Sequence, residues 1–110
     1  MMNNQLKSCQ ELEKELFRLK EHFEYFKDSE PKELVDWALY FQKWGKRVSN
    51  QGIAWVRPYL ELANLMVSNL GGRRAPAGAF DLMLRAMRGA QRDMQREVDQ
   101  LQRQRTLVGV

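Results

Sequence analysis

The sequence predicts an all-α fold: an up-down bundle of four helices whose last helix is long and basic. Apolar residues recur at alternating steps of three and four along most of the chain. Stretches with Pro, Gly or Asn interrupt this pattern at three points, and the short connections favour antiparallel neighbours. Because 110 residues can bury one core but not two, we expect a single domain over residues 1–110.

The first helix is expected over about 8–27. Ser8 and Glu11 have the spacing of a capping box, in which each side chain satisfies a backbone N–H of the other residue. Six positions follow the a/d spacing of a heptad: Cys9, Leu12, Leu16, Leu19, Phe23 and Phe26. One stripe of this helix should therefore be buried, and its Glu and Lys residues should form a solvated face.

The second helix is expected over about 30–49 and the third over about 58–70. Pro31 fits the first turn of a helix, where no N–H partner is lost. The inward positions of the second helix are Leu34, Trp37, Phe41, Trp44 and Val48. Pro58 would cost about 3 kcal/mol inside a helix. The third helix should therefore begin there, and the glycine pair that follows residue 70 should end it.

The fourth helix is expected over about 79–105, a length of about 40 Å at 1.5 Å per residue. Its inward positions are Phe80, Met83, Leu84, Met87, Ala90, Met94, Val98 and Leu101. Gly89 costs about 1 kcal/mol relative to Ala in a helix, so it is expected to mark a close helix contact or a bend. The methionines favour a core role, with an adaptable protein-binding groove as the alternative.

The positive charge of the chain is concentrated in its last third. The formal net charge is +4; residues 1–70 carry ten Lys/Arg and ten Asp/Glu, whereas residues 71–110 carry eight Arg and four Asp/Glu. An asymmetry of this kind points to an acidic partner, whether nucleic acid, anionic lipid or an acidic protein surface.

Five arginines share one side of the fourth helix, and we name them the arginine face: Arg85, Arg88, Arg92, Arg96 and Arg103. They fall within an arc of about 80°, centred about 150° from the apolar side. We interpret Arg88, Arg92 and Arg96 as charges without an acidic partner on their own helix. Because guanidinium groups bind phosphate or carboxylate with two donors, the face is a candidate anion-binding site, extended by Arg73 and Arg74. The alternative is a solvated face whose arginines pair with acids of a neighbouring helix.

A second basic patch is predicted around the turn between the second and third helices. It consists of Lys43, Lys46, Arg47 and Arg57, interleaved with Tyr40, Trp44 and Trp55. Cations beside exposed aromatic rings hold single strands by backbone charge and base stacking. The alternative interpretation places Trp37 and Trp44 in the core, because both have the helical spacing of buried positions.

Residues 48–56 resemble the turn and recognition helix of a helix-turn-helix, with Ser49 as the cap of the recognition helix. The resemblance covers only these residues. Lys43 and Arg47 stand where the motif usually has a small residue and the turn glycine, and Pro58 would interrupt the recognition helix. Helix-turn-helix DNA binding is therefore a minor alternative.

The sequence contains no arrangement typical of catalysis, a metal site or a cofactor site, so we expect a protein that is not an enzyme. His22 is the only histidine and has no partner at the spacing of a triad or metal site. Cys9 fits a small buried residue in a reducing compartment. Because the first residues lack the features of a secretory signal and no apolar run could span a membrane, we expect a cytoplasmic protein.

Two main hypotheses follow for the function. The first is a non-enzymatic subunit of a nucleoprotein assembly, whose arginines neutralise phosphates of RNA or single-stranded DNA without base readout. The second is a protein-only adaptor, chaperone or homo-oligomer that uses its heptad seams. A minor third hypothesis is an amphipathic role of the fourth helix at a membrane surface. In size, helical build and basic face the chain resembles the small helical subunits along the nucleic-acid path of CRISPR effector complexes. This resemblance implies the first function and assigns no residue role.

Overall fold

Four α-helices make up most of the chain. The structure, a computed structural model, describes residues 2–25, 31–70 and 78–109, with the side chains of 5–25, 34–70 and 78–104. The helices are α1 (Met2–Tyr25), α2 (Pro31–Asn50), α3 (Arg57–Leu70) and α4 (Ala79–Gly109), and a short 3-10 helix, Ala54–Val56, leads directly into α3. Within these residues there is no strand, and the predicted all-α bundle of four helices is confirmed.

Neighbouring helices run antiparallel, as the short connections predict. The Trp44 indole in the second half of α2 donates a hydrogen bond of 2.8 Å to the Leu12 carbonyl in the first half of α1. Farther along α1, the Phe23 ring lies 5.8 Å from the Trp37 ring in the first half of α2. Phe80 at the start of α4 stacks on Phe23 at 6.0 Å, so α4 also runs against α1. α4 packs mainly on α1, and α3 packs mainly on α2.

The close contact between α2 and α3 depends on Gly45, which the sequence interpretation did not single out. A Cβ atom at this position would lie 3.2 Å from Leu60 Cδ1 and 3.7 Å from Leu60 Cα. Nearby, the Gln42 side-chain amide donates to the side-chain oxygen of Asn64. The backbones of α2 and α3 can therefore approach each other more closely here than a larger residue would allow.

α1 begins at Met2, well before the expected start at Ser8. The predicted capping box is wrong, because Ser8 and Glu11 lie inside the helix. Leu6 is buried and continues the apolar stripe toward the N-terminus. Burying a leucine contributes about 2 kcal/mol and a cap about 1 kcal/mol, so burial outweighs the local signal. The expected end at residue 27, together with Phe26, lies outside the described residues.

The core follows the predicted apolar positions of the four helices. Its large, fully buried side chains include Leu16, Phe23, Leu34, Phe41, Val48, Val56, Met83, Met87 and Met94. The methionines of α4 are thus core residues, and they do not line an open groove. Leu19, Trp37, Phe80, Leu84 and Leu101 are only partly buried at the margins of the core. α3 ends at Leu70 as predicted, and α4 continues to Gly109, beyond the expected end at 105.

The connection between α2 and α3 is a tight corner of the bundle. Gly52 has a φ of 80° in the turn, a conformation that favours glycine. Ile53 and Val56 beside it are buried. Ser49 lies inside α2, so it does not cap a following helix as the helix-turn-helix resemblance implies. Pro58 lies in the first turn of α3, where its missing N–H is not needed.

Candidate anion-binding face

The side of α4 next to α3 is held by two hydrogen bonds from aromatic side chains. The Trp55 indole donates to the Glu97 carboxylate at 2.9 Å, and the Tyr59 hydroxyl donates to the Asp93 carboxylate at 2.7 Å. A Cβ atom at Gly89 would lie 3.0 Å from the Tyr59 hydroxyl, so this glycine marks a close helix contact, one of its two predicted roles. The sequence interpretation missed both pairings. The sequence feature that could have indicated them is the position of Asp93 and Glu97, four residues apart and next to the apolar side of α4.

The side of α4 next to α1 carries another polar contact. The Arg88 guanidinium donates to the Glu24 carboxylate of α1 at 3.0 Å. Both side chains are partly exposed to solvent, so the pair contributes at most about 1 kcal/mol to stability. Arg88 therefore belongs to the contact between α1 and α4, as expected for a face whose arginines pair with a neighbouring helix.

Arg96 also has an acidic partner. Its guanidinium lies 3.8 Å from the carboxylate of Asp93, three residues earlier on α4. The interpretation of Arg88, Arg92 and Arg96 as charges without an acidic partner on their own helix is thus wrong for Arg96, whereas the partner of Arg88 belongs to α1. It overlooked Asp93, which is at helical spacing from Arg96, and it could not include Glu24, which lies on another helix.

Three further arginines of the face are exposed on the outward side of α4: Arg85, Arg92 and Arg103. We name these three residues the open row. None of them forms an ion pair with another described side chain. At 1.5 Å per residue, the positions of Arg85 and Arg103 are about 27 Å apart along the helix axis. Arg92 lies between them, about 11 Å from Arg85 and about 16 Å from Arg103. Around the axis, the three positions lie within about 20° of one another. Arg73 and Arg74, the predicted extension, lie outside the described residues.

The charges of the arginine face reach the contact between α3 and α4. Burial raises the pKa of the Tyr59 hydroxyl to about 12, and the hydrogen bond to Asp93 and the negative charge of that carboxylate act in the same direction. The positive charges of Arg92 and Arg96 act in the opposite direction. Arg92 therefore lies near this contact, although it makes no ion pair with a described side chain.

Alkaline pH is expected to weaken the contact between Tyr59 and α4. A hydroxyl whose pKa is higher in the folded than in the unfolded protein stabilises the fold fully below about pH 10. It loses this contribution as the pH rises to about 12. Between these values the free energy of unfolding of the wild type should therefore fall more than that of Tyr59→Phe. Urea denaturation of both proteins across this range measures the difference, and parallel losses would contradict the role given to Tyr59.

The second basic patch does not form one site. Lys43 and Arg47 line a groove between α1 and α2, and Arg47 donates to the Glu15 carboxylate of α1. Lys46 and Arg57 are exposed but do not line that groove. The structure thus brings two of the four predicted cations together, at a place where α1 also contributes.

The aromatic residues predicted beside these cations have different environments. Trp44 is 3% exposed and stacks on Phe41 at 5.7 Å, so it is a core residue, as the alternative interpretation predicts. Trp55 is half-buried, and its indole N–H is bonded to Glu97. Tyr40 is 55% exposed. Of these three aromatic side chains, Tyr40 is the one with most of its surface open to solvent.

The side chains of Cys9 and His22 have different environments. Cys9 is fully buried, and burial together with the negative charge of Glu97 raises the pKa of its thiol. His22 is exposed and lines the groove between α1 and α2.

Among the side chains that the structure describes, no three His, Cys, Asp or Glu residues are grouped as metal ligands. Within residues 2–25, 31–70 and 78–109, no helix has the length and apolar content needed to cross a membrane.

Comparison with known proteins adds no family assignment. No family model, curated protein or solved structure matches this chain. The roles proposed below therefore depend on the geometry and charge of the described residues.

Proposed function

We propose that this protein is a non-enzymatic helical subunit of a nucleoprotein assembly. In this role α4 contacts the phosphate backbone of RNA or single-stranded DNA through the arginine face, without reading bases. The observation that supports this most directly is the open row. Its three arginines are exposed and have no ion pair within the described part of the chain.

The chemistry of the open row suits phosphate groups. A guanidinium group is always charged and offers parallel N–H donors that match two phosphate oxygens. Contacts of this kind fix a strand in place and carry no sequence information. The last third of the chain, from which the row comes, also holds the whole excess of positive charge. These properties favour binding that is general in sequence and sensitive to salt.

The length of the open row favours a linear polyanion over a small anion. The row is about 27 Å long at the helix axis, so one phosphate group cannot contact all three arginines at hydrogen-bond distance. A nucleic-acid strand carries one phosphate per nucleotide, at a spacing shorter than the gaps between these arginines. A strand lying along α4 can therefore meet all three arginines.

A protein-only adaptor is the second candidate function, and one observation favours it. Leu65 of α3 and Leu82 of α4 are exposed and line an apolar groove with Leu62 and Met66. Exposed leucines beside a groove are typical of a site for a partner helix. The heptad seams themselves are buried between the four helices, so they are already used within the bundle.

Three combined substitutions in the open row test the proposed function: Arg85→Ala, Arg92→Ala and Arg103→Ala. Fluorescence anisotropy measures the affinity for a labelled single strand of mixed sequence at several salt concentrations. The wild type should bind more weakly as salt increases. At low salt the triple variant should lose at least about tenfold in affinity. Its slope of log K against log salt should be shallower by about two units, since each single-strand phosphate contact contributes roughly 0.7.

A matched control removes three exposed cations from α1: Lys7→Ala, Lys14→Ala and Arg18→Ala. Both triple variants lower the formal net charge from +4 to +1, so a general charge effect weakens both to the same extent. A larger loss in the open-row variant supports the proposal. Equal losses, or a wild type that does not bind at low salt, would count against it. Association with a protein partner that persists at high salt would favour the adaptor function instead.

A further inference from the structure

The groove between α1 and α2 combines aromatic walls with two cations. Its volume is about 520 Å³, within the range of small-ligand sites. Residues that line it include Leu19 and His22 from α1, and Trp37, Tyr40, Lys43 and Arg47 from α2. Along α1 the lining extends from residue 15 to residue 22, a length of about 10 Å. These dimensions suit one planar group with an attached anion.

A row of four aromatic rings leads from the core to this groove. Phe80 stacks on Phe23 at 6.0 Å, and Trp37 meets Phe23 edge to face at 5.8 Å. Tyr40 in turn meets Trp37 edge to face at 6.1 Å. Phe23 is fully buried, whereas Tyr40 at the outer end is 55% exposed. Packing against Trp37 therefore holds one side of the Tyr40 ring, and the exposed part can accept a stacking partner.

The two cations of the groove lie close to Tyr40 on α2. Lys43 and Arg47 follow Tyr40 by three and seven residues, which places them one and two turns away on the same side of the helix. Lys43 has no ion pair among the described side chains, whereas Arg47 pairs with Glu15. Both members of that pair are about half exposed, so an anion in the groove can reach the guanidinium from solvent.

We propose that this groove binds one unpaired base of a single-stranded nucleic acid, stacked on Tyr40, with the adjacent phosphate on Lys43 and Arg47. This inference rests on the proposed function and adds a preference for single strands to it. A ring face stacks on any base, so the groove selects unpaired bases without selecting a sequence. Bases within a duplex are already stacked on their neighbours and cannot enter unless they are flipped out.

Two labelled probes of equal length separate stacking from charge. One is an oligothymidylate, and the other is an abasic strand with the same phosphates and no bases. Tyr40→Ala should weaken binding of the oligothymidylate by roughly five- to hundredfold, the range found for stacking of one base on an aromatic side chain. It should leave binding of the abasic strand unchanged. Tyr40→Phe keeps the ring and should bind both probes as the wild type does.

A substitution at Glu15 tests the contribution of Arg47 to the groove. Glu15→Gln removes a negative charge from the groove and frees Arg47, so it should tighten oligothymidylate binding by roughly two- to fivefold. Glu61→Gln on α3 is the matched control, because Glu61 is exposed, does not line the groove and carries the same charge. Equal effects of the two substitutions, or no tightening by Glu15→Gln, would overturn the assignment of phosphate to Arg47. Circular dichroism checks that both variants keep the wild-type helix content.

The groove inference and the proposed function can fail separately. If Tyr40→Ala binds the oligothymidylate like the wild type, or weakens both probes equally, while the open-row variant loses affinity, the groove inference is overturned and the proposed function stands. If Tyr40→Ala loses affinity for the oligothymidylate alone and the open-row variant binds like the wild type, the arginine face is overturned and the groove stands. A wild type that binds neither probe at low salt overturns both.

Discussion

Phe23→Ala is expected to lower the free energy of unfolding by about 3–5 kcal/mol. Phe23 is 0% exposed and lies where α1, α2 and α4 meet. Its ring lies 5.8 Å from that of Trp37 and 6.0 Å from that of Phe80. Alanine would leave a cavity between two large rings on different helices, which cannot both move in to fill it. Because domains of this size have about 5–15 kcal/mol of stability, the substitution would remove a large part of it.

Phe17→Ala is the matched control on the same helix. Phe17 is 46% exposed, and the Lys20 ammonium lies 5.2 Å from its ring centroid. Loss of this surface contact should cost less than about 1 kcal/mol. Urea denaturation followed by circular dichroism gives both values. Similar losses for the two variants would show that Phe23 does not occupy the buried position that the structure assigns to it.

Trp44→Ala is expected to have an effect of similar size, about 3–5 kcal/mol. Trp44 is 3% exposed and stacks on Phe41, and its indole donates to the Leu12 carbonyl at 2.8 Å. The substitution therefore removes buried apolar surface, a ring pair and a hydrogen bond between α1 and α2. Trp44→Phe keeps most of the apolar surface and loses the hydrogen bond, so it should cost only about 1–2 kcal/mol. Urea denaturation of the two variants measures the difference.

The Trp44 variants also separate the two interpretations of the second basic patch. Trp44 borders the groove but is only 3% exposed, so Trp44→Phe, which keeps an aromatic ring there, should lower the stability and leave the affinity for the oligothymidylate nearly unchanged. Tyr40→Ala should show the opposite behaviour, with lower affinity and little change in stability. If Trp44→Phe lowered the affinity and left the free energy of unfolding unchanged, Trp44 would be a stacking platform, and its assignment to the core would be wrong.

The apolar spacing predicted most of the core because burial in a helical bundle follows the period of the helix. Leu12, Leu16 and Phe23 of α1 are buried as that spacing predicts. The start of α1 was predicted from a weaker effect. The capping pattern at Ser8 is a local preference, and burial of Leu6 against the rest of the bundle outweighs it.

The arginine face was predicted correctly as a set of positions on α4, but its partners were not. Asp93 is three residues from Arg96 and was within reach of a sequence argument. Glu24 was not, because it pairs with Arg88 from another helix, 64 positions away in the sequence. Around the axis of α4, the two paired arginines, Arg88 and Arg96, therefore lie at the two ends of the arc of about 80°, and the open row lies between them.

The spacing of apolar and charged residues was enough to predict the four helices, their buried sides and the excess of arginine on the outward side of α4. Each of these depends on residues within a few turns of one another, so the period of one helix is enough to define it. The packing of the helices was needed to show which arginines have no acidic partner among the described side chains, and that Tyr40 and Lys43 share a groove with α1. These features join side chains from different helices, and the pattern of one helix does not specify which residues of its neighbours lie opposite.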